Sequence, residues 1–178
     1  MSIIKPNNNT ISAITALPAA ISTGKVLQVV QGTSSIAFSQ ASPTNGTVYY
    51  PSSNKLTASI TPSLTSSKIL VQYITSLRMD SSSGDMGVGT AMKQIISGGA
   101  TTTIQAGGGS SKPYSSGFYF AGTVSTDARV RISEVVLLSP STTSAISYEV
   151  GIAGYNVTNC RMNDDDTTGR IILREVAV

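Results

Sequence analysis

Of the residues that carry most enzyme chemistry, histidine is absent from this chain of 178 residues. Without it there is no imidazole general base, no Ser-His-Asp or Cys-His nucleophile pair and no His-ligated zinc. The single cysteine, Cys160, can form neither an intrachain disulfide nor a thiolate metal site, and reads as a buried free thiol. Asp164, Asp165 and Asp166 form the one acidic cluster. Paired carboxylates can hydrolyse glycosides, and oxygen ligands can hold a hard cation such as Ca²⁺. The run lies in "NDDDTTG", however, and does not match the D-x-[DN]-x-[DN]-G calcium pattern. Asp and Asn form turns through their own side-chain hydrogen bonds, so a plain hairpin loop fits it better. Asp80 and Asp85 flank a second, weaker cation candidate. "GVGTAMK" (87–93) has the glycines and lysine of a phosphate loop but neither the GxxxxGK[ST] nor the GxGxxG spacing. Glycines in a bulged or closely packed strand account for it. The expectation is a protein without catalytic residues or cofactors.

Charge points the same way. There are 12 basic and 9 acidic residues, for a net charge of +3, and charged residues make up only 12% of the chain against 40% hydrophobic. No Lys/Arg cluster suited to a phosphate backbone is visible. Arg129 and Arg131 sit two apart, share a face if they lie on a strand, and read as a solvated strand face. No stretch reaches the roughly 18 apolar residues of a membrane span, and Met1 to Lys5 lacks the basic-then-apolar start of a secretory signal. Neither nucleic acid nor a membrane is expected as a partner. Tyr49–Tyr50 and the aromatics from Tyr114 to Phe120 suit core or interface packing better than a sugar-binding surface.

What must position these residues is a set of short strands. The length suits one domain with a real core. "KVLQVVQ" (25–31) places Val26, Gln28 and Val30 on one face, and "IAFSQ" (36–40) is a candidate to pair with it. Leu56, Ala58 and Ile60 alternate with polar residues. Residues 65–80 read as a strand buried on both faces at its centre, with Ile69, Val71 and Tyr73 on one side. In "AISYEVGIAGY" (145–155), Ile146, Tyr148, Val150 and Ile152 turn inward and Ser147, Glu149 and Gly151 outward. "NVTNCRM" (156–162) and "RIILREVAV" (170–178) form a final pair across the acidic loop. Nine to eleven strands with turn signals about every ten residues predict an all-β, antiparallel, jelly-roll-like sandwich over 24–178.

Residues 1–23 differ. They carry two prolines, an Asn run and scattered Ile3, Ile4, Ile11, Ile14, Leu17 and Ile21. This composition predicts an arm that anchors on its own domain or on a neighbouring subunit. The low charge density also predicts an obligate oligomer, because such surfaces lose little on desolvation and strand edges pair readily.

At "GKVLQVVQ" (24–31), "ITPSLTSSKILVQYI" (60–74), "VVLLSPSTTSAISYEVGI" (135–152) and "GRIILREVAV" (169–178) the chain resembles a family of small virion proteins and tail-fibre-like modules of tailed bacteriophages. The resemblance implies a jelly-roll-like sandwich, oligomeric and trimeric, exposed on the outer surface of the virion, with no catalytic residues. Two roles compete within it. A capsid decoration (cement) protein would sit on the major capsid protein through its arm. A tail-fibre or receptor-binding subunit would instead recognise the host surface, for example a glycan. A chain with only a short arm ahead of the sandwich favours the cement role.

Overall fold

The computed structural model describes residues 25–80, 84–104, 115–121, 128–164 and 167–177. The arm residues Ile3, Ile4, Ile11, Ile14, Leu17 and Ile21 lie outside the described residues, as do Asp165 and Asp166.

Eleven strands occur among the described residues: β1 (Val26–Ser34), β2 (Phe38–Ala41), β3 (Thr57–Ile60), β4 (Lys68–Asp80), β5 (Met86–Ile96), β6 (Thr101–Ile104), β7 (Ser116–Phe120), β8 (Ala128–Leu138), β9 (Ile146–Tyr155), β10 (Asn159–Met162) and β11 (Gly169–Val176). β1, β2, β4, β8, β10 and β11 form one sheet; β3, β5, β6, β7 and β9 form the other. All the pairings are antiparallel.

The registers reveal a simpler object. β10 lies against residues 77–80 of β4 and β11 against residues 68–74 of the same strand, running in the same direction. They are one strand, interrupted by the acidic loop. β1 and β2 are likewise one strand, laid along β11 and then β10. β6 and β7 are one strand along β5. The eleven segments therefore make eight long strands, four per sheet. Numbered along the chain, the first pairs with the eighth, the third with the eighth and sixth, the second with the seventh, and the fourth with the seventh and fifth. A chain folded as one long antiparallel hairpin and rolled into two layers gives this order, which is that of a jelly roll.

Face-to-face packing of the two sheets makes the core. β4 alternates strictly, with Ile69, Val71, Tyr73, Leu77 and Met79 buried and the intervening residues half-buried. Opposite them lie Met86, Val88 and Met92 of β5 and Tyr148, Val150 and Ile152 of β9. Cys160 is buried among them, and burial pushes its thiol up to about 12.

Four sequence expectations need correction. β2 pairs with β10 and not with β1, because β1 and β2 are consecutive pieces of one edge strand. Residues 156–162 and 170–178 do not form a hairpin with each other; both lie along β4. A bulge between Val26 and Gln28 puts Val26 on the solvent face with Val29, while Gln28 turns inward opposite Glu175. Glu149 and Gly151 are buried, because Tyr50 covers that face of β9: a Cβ at Gly151 would lie 2.7 Å from the Tyr50 ring.

The sheets meet most closely where β1 crosses β3. A Cβ at Gly32 would overlap the carbonyl oxygen of Thr57 on the other sheet. Gly32→Ala must push the sheets apart there and is expected to cost about 3 kcal/mol, at the top of the overpacking range. Urea unfolding checks this; a midpoint equal to that of the unaltered protein contradicts the close approach.

Candidate functional site

The polar residues buried in the sandwich are where chemistry could sit, and the fold uses them as ties. Tyr73 Oη donates to Glu134 Oε2 (2.6 Å) and shares a 2.8 Å hydrogen bond with Thr90 Oγ1; Ser115 Oγ donates to the same Glu134 oxygen at 2.6 Å. Burial, and after it the bond to Glu134, pushes the Tyr73 phenol well above its ordinary value. Tyr73 is therefore a fixed donor and not a base. The network joins β4 and β8 to β5 across the core.

Glu149, 2% exposed, is held by Lys55 and Lys93, each with Nζ 3.1 Å from a carboxylate oxygen. Lys93 also sits 4.1 Å above the Tyr50 ring. The "GVGTAMK" lysine is thus committed to a buried ion pair under the 43–56 segment.

Glu175 on β11 is fully buried and accepts from Gln28 Nε2 (2.6 Å), Ser63 N (2.6 Å) and Ser63 Oγ (3.2 Å). It fastens the β3–β4 connection to β1 and β11. Burial pushes its carboxyl upward, but the buried Ser67 hydroxyl, Gln28 and Ser63 together outweigh that and hold it below the ordinary carboxylate range. Ser67 Oγ contributes without an ordinary hydrogen-bond geometry of its own.

Of the acidic loop, Asp164 is described. Its carboxylate lies 3.2 Å from Arg78 Nη1 and 3.8 Å from Arg161 Nη1. Asp80 joins the same network, 3.0 Å from Arg78 Nε and 3.5 Å from Arg161 Nη2. Asp85 accepts from Tyr119 Oη at 2.8 Å. Among the described residues no group of three or more His, Cys, Asp or Glu stands ready for a metal ion. The loop leaves the β10–β11 line at Asn163, which takes a left-handed φ of 57° and whose Oδ1 accepts from Thr75 Oγ1 at 2.7 Å.

The structure gathers something the sequence scatters. Cross-strand partners share a face. Arg78 pairs with Arg161 and with Arg129, Ser76 with Arg131, Ile74 with Arg170 and Leu70 with Arg174. All six arginines of the chain therefore lie on the outer face of the β4 sheet. Arg78 and Arg161 are matched by Asp80 and Asp164, and Arg174 donates to Gln72 Oε1 at 3.1 Å. Arg131 and Arg170 are exposed. With Ile74, Thr167 and Thr168 they line a cleft of about 530 Å³. Smaller cavities continue it along β4 in both directions, one sharing Arg131 and Thr167, the other Ile74 and Arg170. Toward the start of β4 the same face carries more apolar side chains, with Val26, Val29, Val135 and Leu137 about half exposed around Arg174 and Lys68.

No known protein family matches this chain, and no curated protein matches it in sequence. Solved structures with some likeness include the particle of infectious bursal disease virus (11% identity, covering 90% of this chain and 41% of that one, TM-score 0.36) and that virus's Gx strain (13% identity, 92% and 42%, TM-score 0.36). Another is the CBM22-1 xylan-binding domain of Xyn10C from Paenibacillus barcinonensis (10% identity, 87% and 97%, TM-score 0.32). The chain spans less than half the length of the viral chains it matches. The jelly-roll assignment rests on the strand order itself.

The Glu175 staple gives a test. A carboxyl held below its unfolded value contributes stability above that value and loses it as pH falls through the folded one. Glu175→Gln is expected to cost about 2 kcal/mol at pH 7, by leaving buried donors poorly matched, and to flatten the loss of stability from about pH 4.5 downward. Unfolding midpoints from pH 3 to 7 check this. An acid sensitivity identical to that of the unaltered protein contradicts it.

Proposed function

We propose that this protein is a non-enzymatic structural component of a tailed-phage virion, displayed on its outer surface, where it decorates and stabilises the capsid as a cement protein. In this reading it is a homo-oligomer, a trimer, and residues 1–23 are the arm that anchors it on the major capsid protein. A jelly roll by itself implies no function. The observation that carries the reading is a largely apolar group at one end of the outer face: Val26 and Val29 on β1 and Val135 and Leu137 on β8, flanking half-buried Leu70 and Ile172, with Arg174 and Lys68 among them. Scattered exposed apolar residues are ordinary, but several on one sheet face mark a surface that is covered in use. Lys25, which leads into β1, lies beside this patch, and Ala177 N donates to its carbonyl oxygen at 2.9 Å. The motif order shared with small phage virion proteins supports the same reading. So does the use of Tyr73, Glu134, Glu149 and Glu175 as fold staples.

Two measurements test it. Light scattering at micromolar concentration should show one oligomer, and Val135→Asp with Leu137→Asp should shift it toward monomer; a monodisperse unaltered monomer contradicts the reading. Deleting residues 1–23 should abolish binding to capsid shells while leaving a folded oligomer. Full shell occupancy by the truncated chain overturns the anchoring role.

A further inference from the structure

We infer that the arginine end of the β4 sheet's outer face is a binding groove for an acidic polysaccharide, with Arg131 and Arg170 gripping its carboxylate or sulfate groups. The inference does not rest on the shell-docking reading; the two surfaces meet at Ile172, which borders both.

Composition supplies the first argument. The chain carries equal numbers of arginine and lysine, yet every arginine is on this one face. Arginine's planar fork matches oxyanions bidentately, whereas lysine offers a point charge. Lys68 shares the face at the start of β4, at the opposite end from Arg131 and Arg170. Availability is the second argument. Four of the arginines have partners, but Arg131 and Arg170 stand exposed with no carboxylate in ion-pair range among the described residues. Like charges facing one cleft are costly unless an anion joins them.

Shape and lining decide the ligand class. The cleft is concave, and it continues along β4 from Gln72 to Arg78, a run of about 20 Å at the rise of an extended strand. That suits a linear polymer better than a single ion. Thr167 and Thr168 sit beside the two arginines, Ser76 lies in the cavity beyond Arg131, and Gln72 and Ser133 lie in the cavity beyond Arg170. The polar lining of the central cleft fits a polyhydroxylated chain; the flanking cavities add apolar wall from Leu77, Val130 and Ile172, and the Asp164 carboxylate in one of them is tied to Arg78 and Arg161. Among the described residues the cavities present no aromatic ring for stacking: Tyr73 borders one, but its hydroxyl is turned into the core toward Thr90 and Glu134. Single-stranded nucleic acid is held largely by such stacking, and the groove lacks it.

The test uses the full-length protein and five probes at equal ionic strength: a heparin-derived oligosaccharide for sulfate, polygalacturonate for carboxylate, neutral dextran, a single-stranded oligonucleotide and polyglutamate. Calorimetry should show binding of one or both acidic glycans, weakening as salt rises, and none of dextran. The arm of the test that binds tells sulfate from carboxylate. Arg131→Gln with Arg170→Gln should weaken glycan binding at least tenfold, and Lys25→Gln, far along the chain's exposed edge, should not. Should the double variant fail to fold, hydrogen exchange on the unaltered protein must show glycan-dependent protection at residues 74–78, 129–133 and 167–170. Absence of glycan binding, unchanged affinity in a folded double variant, protection elsewhere, or equal binding of oligonucleotide or polyglutamate each overturns the assignment.

Discussion

The two-residue alternation along β4 sets both the inside and the outside of this molecule. β4 is paired on one side with β8 and on the other with β10 and β11, so the registers of half a sandwich are referred to it. Its odd-numbered residues, Ile69 to Met79, build the core; its even-numbered ones carry the row from Leu70 to Arg78. A slip of one residue would exchange those faces and bury arginines. The buried polar groups act as pins on that register. Tyr73 can reach Glu134 and Thr90, and Thr75 can reach Asn163, only in the alignment observed. Each pin is a hydrogen bond that becomes costly once broken, since its partner stays buried.

The strands themselves were legible in the sequence, because period-two alternation and turn residues are local signals. Pairing was not. β10 and β11 looked like a hairpin, since a polar loop separates them; nothing local says that both lie on β4 end to end. The same blindness hid the gathering of the arginines. Arg129 and Arg131 were read correctly as one strand face, but Arg78, Arg161 and Arg170 join them only through long-range register. Glu149 shows a different failure. Its alternation pointed outward, and outward it points, but Tyr50 from a distant segment covers that side and makes it buried. Val26 was misplaced by one bulge, which no propensity marks. Glu175 is recognisable as a site only once Gln28 and Ser63 are seen around it.

The absence of histidine and the fate of the carboxylates give the protein its chemical character. Glu134, Glu149 and Glu175 are spent on hydrogen bonds and ion pairs within the fold, and Asp80 and Asp164 on Arg78 and Arg161. On the outer face of the β4 sheet stand a few half-exposed aliphatic side chains and the exposed Arg131 and Arg170.

The proposed role is that of a structural protein on the virion's outer surface, seated on the capsid. Imaging intact particles after labelling with a gold-tagged antibody against residues of the outer β4 sheet tests it most directly. The account predicts label distributed over the head. Label confined to the tail tip, or its absence from purified particles, contradicts it.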